Sequence, residues 1–254
     1  MSKIGINPAV SRRFASTARL FSAADFARLR QAHVAVVGLG GVGSWAAEAL
    51  VRSGVGAVTL VDMDHVAESN LNRQVQALQA TLGMAKGQAL KDRVLDIAPD
   101  CAVTLVDEFL SPENAAELMG KSEIDVWIDA TDDLAAKRAM VLFIKSPKRL
   151  KDLVVSGGAG GKTDPTRIES ADLSETIQDP LLSSLRYDLR RQHGFPRQGK
   201  MGIRTVFSRQ PMIRSDDCDP AAKLACAGFG SLVTVTATMG MVAANLAMLR
   251  VIQR

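Results

Sequence analysis

The sequence predicts an α/β protein: a mostly parallel sheet with helices on both faces, extended by additional strands and a C-terminal apolar helix. Short runs rich in Val, Leu and Ile recur between segments of helical spacing. Within those runs the apolar residues are near-continuous, as in strands buried on both faces, and do not alternate with polar ones. The first run also breaks at glycine and passes directly into a helix.

Taken in order, HVAVVGLG (33–40) is the first strand and GSWAAEALVRSG continues as a helix. AVTLVD (57–62) is the second strand, and MAKGQALKDRVLDIAP has helical spacing that stops at Pro99. AVTLVDEF follows as a strand, then a short helix opening at Ser111-Pro112, a fourth strand IDVWIDA, a helix from about Leu134 to Ile144, and a fifth strand DLVVSG. Beyond Gly161 the alternation weakens: TRIESADL and IRTVFSR read as strands around a charged helix, LLSSLRYDLRRQHG. The stretch from Arg209 to Cys226 is irregular and reads as a loop over the site. No repeat or low-complexity linker interrupts the chain. A single domain over residues 1–254 is expected, with a nucleotide-binding part at about 30–160 and a substrate-facing part at about 161–254.

Composition fits a folded protein, with 47% hydrophobic and 23% charged residues. Aromatics supply only 4%, so the core must rest on Val, Leu, Ile, Ala and Met. Cys101, Cys218 and Cys226 form no paired pattern, and MSKIGINPAVSRR lacks the apolar stretch of a secretory signal. A cytoplasmic protein is expected. From Leu224 to Leu249 no charge occurs, a length that suits either a membrane span or a buried helix. Ser231, Thr234, Thr238 and Asn245, with Met241 between them, fall on one helical stripe, which favours a helix packed against the sheet or a partner subunit over stable membrane insertion.

Gly38, Gly40, Gly41 and Gly43 form a GxGGxG turn between a strand and a helix. Glycine here permits a tight turn and lets backbone N–H groups approach a phosphate at the positive end of the helix. Asp62 ends the next strand, 19 residues after Gly43, where a carboxylate accepts hydrogen bonds from ribose hydroxyls. Together they predict an adenine nucleotide on a Rossmann-like sheet; glycines that merely pack a turn are the plainer alternative. Beyond Asp62 come Asp64, then Asn70, Arg73 and Gln74 in SNLNRQ, and Lys86 in GMAKG. Two cations in this place suit a triphosphate better than a dinucleotide, because they neutralise charge on a departing pyrophosphate. Asp132, after the fourth strand, is read as a carboxylate for Mg²⁺ bridging phosphate oxygens, and its neighbour Asp133 as a helix cap.

Net charge is only +4, but Arg186 to Arg214 holds seven Arg and one Lys against Asp188 alone. Arg186, Arg190, Arg191, Arg197 and Lys200 are the candidates for holding a nucleic-acid backbone; a solvated basic surface is the alternative. A second knot is Lys145, Lys148, Arg149 and Lys151.

GLGGVGSWAAEALVRSGVGAVTLVDMD, SNLNRQ, GMAKG and DATDD, in this order and spacing, resemble the ubiquitin-activating-enzyme-like adenylyltransferases. TARLF, SGGAGGKTDPTRI, DLSETIQDPLLSSLR and CAGFGSLVTVTATMG are similar to the branch that dehydrates threonylcarbamoyladenosine in tRNA. The resemblance covers about Arg13 to Leu249. It implies a homodimer with ATP and Mg²⁺ in each subunit. Gly40 and Gly41 would approach the phosphates, Asp62 hold the ribose, and Asn70, Arg73, Gln74 and Lys86 surround the triphosphate, with Asp132 on the metal. Arg73, Lys86 and Asp132 would be catalytic. The implied partner is tRNA, with room for a sulfur-transfer protein. The rival within the superfamily is an enzyme that activates the C-terminus of a ubiquitin-like sulfur carrier. Two features depart from the superfamily pattern. No CxxC pair is present, so no zinc is expected. Where an N-terminal arginine often reaches the partner's site this chain has Ser16, leaving Arg13 or Arg19 for the role. Cys226 reads as either a reactive thiol or a small buried residue, and the acidic neighbours of Cys218 argue against its reactivity.

Overall fold

The computed structural model describes residues 8–120, 123–145, 152–213 and 229–253. A seven-stranded sheet organises them: β1 (His33–Val37), β2 (Ala57–Val61), β3 (Ala102–Val106), β4 (Val126–Asp129), β5 (Leu153–Ser156), β6 (Ile168–Asp172) and β7 (Arg204–Ser208). Their order across the sheet is β3-β2-β1-β4-β5-β7-β6, and every pairing is parallel except β6 with β7 at the edge. The mostly parallel sheet and the two later strands are as the sequence predicts.

Strand residues alternate between the two faces, as the pleat requires. Val34, Val36, Val126 and Ile128 enter one core with α2 (Ala23–Gln31), α3 (Gly43–Arg52), α4 (Lys86–Ile97) and α8 (Val233–Ile252). Ala35, Val37, Trp127 and Val155 enter the other with α5 (Ala115–Gly120), α6 (Leu134–Phe143) and α7 (Pro180–Gln192). With both faces covered, the strands can be apolar throughout, which is why their sequences lack alternation.

Two elements differ from the sequence expectation, and in a third, α8, the structure adds which face is buried. The pattern gave no assignment before His33, yet α1 (Pro8–Ala18) and α2 precede it. The Ser22 hydroxyl caps α2 by accepting from Asp25 N at 3.1 Å, and burial of Phe26 and Leu29 holds the helix down. The helix expected to open at Ser111-Pro112 begins at Ala115, because the Asn114 side chain accepts from Ser111 N at 2.8 Å and closes a turn first. The stripe on α8 faces outward: Thr234, Met241, Asn245 and Leu249 are exposed, while Val235, Met239, Ala243 and Ala247 are buried. Among the described residues α8 is the one helix long and apolar enough to cross a membrane, and half of it is buried inside the fold. It lies very close to α3, since a side chain at Gly240 would meet Val42 O at 2.4 Å. Of the expected loop from Arg209 to Cys226, only the part to Ile213 lies within the described residues; Arg214, Cys218 and Cys226 fall outside them, as do Lys148, Arg149 and Lys151.

A charged node joins α3 to α4. Glu48 is almost wholly buried and accepts from Arg52 Nε at 2.8 Å in its own helix and from Arg93 on α4 at 3.0 Å. Burial alone would raise the Glu48 carboxyl, but the hydrogen bonds from Arg93 and Arg52 outweigh it and hold the group below the usual range. A carboxyl depressed in the fold stabilises fully above its unfolded pKa and loses that contribution as pH falls through the folded one. Glu48→Gln is therefore expected to cost about 1–2 kcal/mol at neutral pH, since both arginines keep some contact with water. The deficit should shrink on acidification, and urea unfolding of both proteins across the acid range checks this.

Candidate functional site

The strand register sets the site. Val37 pairs with Val61 on one side and Asp129 on the other, so Gly38, Asp62 and Ala130 leave the sheet at one level. The strand order reverses between β1 and β4, and in open parallel sheets ligands bind outside the carboxyl ends at such a point. There the structure has an open crevice of about 730 Å³.

The glycines divide their work. Gly38 has φ +85°, and a side chain on it would lie 2.9 Å from Ala130 O. Gly43 does not line the crevice; it packs on Gly38 O, which an added Cβ would approach to 1.8 Å. Gly40 lines the crevice and has nothing within 4 Å of where its Cβ would be, so its bareness leaves space in the crevice instead of serving internal packing. At Gly41 an added Cβ would lie 3.2 Å from both Arg73 Cγ and Thr236, which brings the start of α8 against the turn.

Asp62 is buried and already bonded within the protein: Oδ2 accepts from Leu39 N at 2.6 Å and Oδ1 from Asp64 N at 2.8 Å. It therefore shapes the glycine turn as well as facing the crevice. Lys86, the first residue of α4, is buried, and its Nζ donates to Asp64 Oδ2 at 2.7 Å. Arg73 is half-buried; it donates to Ser69 O at 2.7 Å and to Asn72 Oδ1 at 2.9 Å, and its own carbonyl accepts from Trp45 Nε1 at 2.9 Å. Asn70 holds the loop by accepting from Ala67 N at 3.1 Å, and buried Gln74 accepts from Gln76 Nε2 at 3.3 Å. All six of these side chains, from Asp62 to Lys86, line the crevice, so the predicted cations face the same space as the glycine turn.

Asp132 projects into the crevice from the opposite rim, exposed. Asp133 is the cap: its Oδ1 accepts from Ala136 N at 3.0 Å and from Ala135 N. Two residues that the sequence reading passed over support this rim. Lys137 is fully buried and donates to Asp129 Oδ1 at 3.1 Å and Ser156 O at 2.7 Å. Asp129 also accepts from Thr131 N and Oγ1, which fixes the turn that presents Asp132. The signal was a lysine three and four residues ahead of Met140 and Val141, on the apolar stripe of α6. The second residue is Asp179, which lines the far wall and accepts from Gly158 N at 2.9 Å and Leu182 N at 3.0 Å; burial pushes its carboxyl up, offset in part by those bonds.

The remaining candidates lie apart from the crevice. Arg186, Arg190, Arg191 and Arg197 line a separate shallow recess beside α7, and Lys200 is exposed on the loop that follows. Arg186 spends one nitrogen internally, on Leu173 O, Thr176 O and Thr176 Oγ1 at 2.7–3.1 Å. Arg13 and Arg19 are exposed, and neither lines the crevice of its own chain. The described cysteine, Cys101, is buried, and burial pushes its thiol up to about 11.

Comparison with known proteins identifies the family. The ThiF family model matches residues 12–254. The tRNA threonylcarbamoyladenosine dehydratase of Haemophilus influenzae is 43% identical over 92% of this chain and 91% of its own length. That of Escherichia coli is 43% identical over 94% and 93%. The crystal structure of the E. coli tRNA N6-threonylcarbamoyladenosine dehydratase in complex with ATP superposes with a TM-score of 0.88, at 41% identity, covering 98% of both chains. The chain thus belongs to the ThiF family and, within it, to the tRNA threonylcarbamoyladenosine dehydratases.

Proposed function

We propose that the protein uses ATP to dehydrate threonylcarbamoyladenosine next to the anticodon of tRNA, by adenylating the carboxylate of that modification. One observation carries the reading: a side-chain-free phosphate turn at Gly40 faces two cations, Arg73 and Lys86, and the exposed carboxylate of Asp132 across one crevice. The carboxylate of the substrate attacks the α-phosphate, pyrophosphate departs, and a nucleophile within the modification closes a ring and expels AMP. The net change is loss of one water. A carboxylate is a poor electrophile until its oxygen becomes a good leaving group, and ring closure then profits from high effective molarity. Arg73 and Lys86 stabilise the charge that builds on pyrophosphate, and Asp62 accepts from the ribose.

Mg²⁺ suits this donor set. Among the described residues no cluster of three or more metal-ligating side chains occurs, and Mg²⁺ bound with a nucleotide asks for only one or two carboxylates besides phosphate oxygens and water. Asp132 would hold it, and the ion would neutralise phosphate charge. The rival reading, activation of a ubiquitin-like sulfur carrier, uses the same crevice; similarity to the dehydratases over more than nine-tenths of the chain, including its second half, favours tRNA. A sulfur-transfer protein remains a partner of interest only under the rival. The protein acts in the cytoplasm, where its tRNA substrate is. Arg190, Arg191, Arg197 and Lys200 form the tRNA-facing surface.

The protein works as a homodimer, paired through the outward stripe of α8. Met241 and Leu249 leave about two-fifths of their surface exposed there, and Asn72 Nδ2 donates to Ser231 O at 3.2 Å, so the stripe adjoins the crevice. An arginine from α1 of one subunit, Arg13 or Arg19, would then reach the other's site.

Incubation with ATP, Mg²⁺ and modified tRNA should yield a nucleoside lighter by one water on mass analysis; an unchanged nucleoside rejects the proposal. Asp132→Ala and Arg73→Ala should each lower kcat by about 100-fold or more while the melting temperature stays near wild type. Turnover retained in both would displace the active site from this crevice. In sedimentation velocity the wild type should run as a dimer and Met241→Glu as a monomer.

A further inference from the structure

We propose that the recess beside α7 is a stacking subsite for an unpaired nucleobase, with Tyr187 as its platform and the surrounding arginines as its phosphate clamp. This rests on the reading of tRNA as substrate and specifies which part of it is gripped: a single-stranded loop, and not the paired stem.

Tyr187 is the only tyrosine of the chain, and it stands 60% exposed in the middle of a basic recess of about 490 Å³. An aromatic ring so placed contributes little burial to the fold. Arg191, one turn further along α7, sets its guanidinium carbon 5.6 Å from the ring centroid and donates to the Tyr187 hydroxyl. Arginines in the last turn of a helix ordinarily complement its dipole; Arg191 instead reaches back along the helix to hold the ring, leaving Arg190 to donate to Pro196 O at 3.0 Å. Arg197 and Arg186 complete the lining.

The positive charge of the recess is offset in part at Arg186 by the charge of Asp179. Asp188, the single acid of the segment, lies on the buried side of α7 and takes Arg138 at 3.2 Å, with His193 at 3.8 Å. Lys145 adds a further cation at the end of the helix, over the Phe195 ring at 5.3 Å and bonded to His193 O. Burial first, and then the neighbouring charge of Arg190, lower the affinity of Arg186 for its proton, while the charge of Asp179 works the other way. A flat π-face beside a group of guanidinium cations matches the chemistry of an exposed base with its flanking phosphates. A membrane surface or an acidic peptide would use the cations but give the ring no partner of its own shape.

The test measures Kd by fluorescence anisotropy at fixed salt, using the full-length protein, an anticodon stem-loop RNA and a fully paired duplex of equal charge. Tyr187→Leu should raise Kd for the stem-loop about 10-fold, the loss of one stacked base, and leave the duplex Kd and ATP binding unchanged. Tyr187→Phe should bind the stem-loop within about 3-fold of wild type, since the ring remains. If Tyr187→Leu binds both RNAs like wild type while Arg190→Glu/Arg191→Glu weakens both, the stacking subsite is wrong and the RNA-facing surface stands. If the double charge reversal also leaves both Kd values unchanged at low salt, the surface falls with it. Equal weakening toward stem-loop and duplex by Tyr187→Leu would also overturn the subsite.

Discussion

Most of what the crevice does follows from how closely the backbone passes itself at the end of β1. Gly38 runs under the Ala130 carbonyl and Gly43 under the Gly38 carbonyl, with no room for a methyl group at either place. That contact brings the first turn of α3 up against the sheet, so the positive end of the helix lies beside the space beyond the strand ends. Had the chain needed another residue to turn, the helix would start further from β4, and Asp132 and the glycine turn would no longer share one crevice. The same tightness recurs where Gly240 of α8 lies against Val42 O, which seats a second helix against the first.

Charges around this frame are organised before any ligand arrives. Lys86 loses most of its water on folding, a cost that its bond to Asp64 offsets. Asp64 is itself about half exposed, so the pair is stable without being sealed. Arg73 is held by a neighbouring carbonyl and a side-chain amide, neutral partners that leave its charge uncancelled. The two cations thus differ: one is balanced by a carboxylate, the other carries net field into the crevice. A preorganised field of this sort stabilises charge developing on a leaving group without reorganising the protein at the moment of reaction.

The fold was legible because burial on both faces writes itself into sequence as unbroken Val, Leu and Ile runs, and because glycine is demanded where backbones touch. Asp62 was legible for a related reason, since its distance from the turn follows from helix and strand length, whereas Lys86, beyond an irregular stretch, was legible only through its GMAKG motif. Lys137 was not. Its role depends on β4 and β5 lying side by side, which gives it Asp129 from one strand and Ser156 from the next, and no local pattern announces that pairing. Asp179 escaped for the same reason, joining the start of α7 to Gly158 across 21 positions. For α8 the sequence predicted a helix packed against the sheet, which is what the structure has, but it did not say which face is buried, because a period of 3.6 shows that two faces differ without saying which one meets the protein.

The two halves of the chain answer different demands. A polyphosphate requires a rigid cradle, and the crevice supplies one from strand ends and helix starts, the parts of an α/β protein least free to move. An RNA loop would arrive with its own flexibility, so the surface proposed to receive it can be simpler: a helix end, an aromatic ring and a few long cations on exposed stems. Asp179 lies where these two regions meet. Its carboxylate caps α7, which carries Tyr187 and Arg191 further along, and it also fixes Gly158 in the far wall of the crevice. A side chain at Gly157 would come within 2.0 Å of that carboxylate, so the wall and the helix are set against each other with no slack. Substrate gripped along α7, as proposed, would in this way be registered to the crevice through one buried acid, which would give that acid a reason to stay where desolvation disfavours its charge.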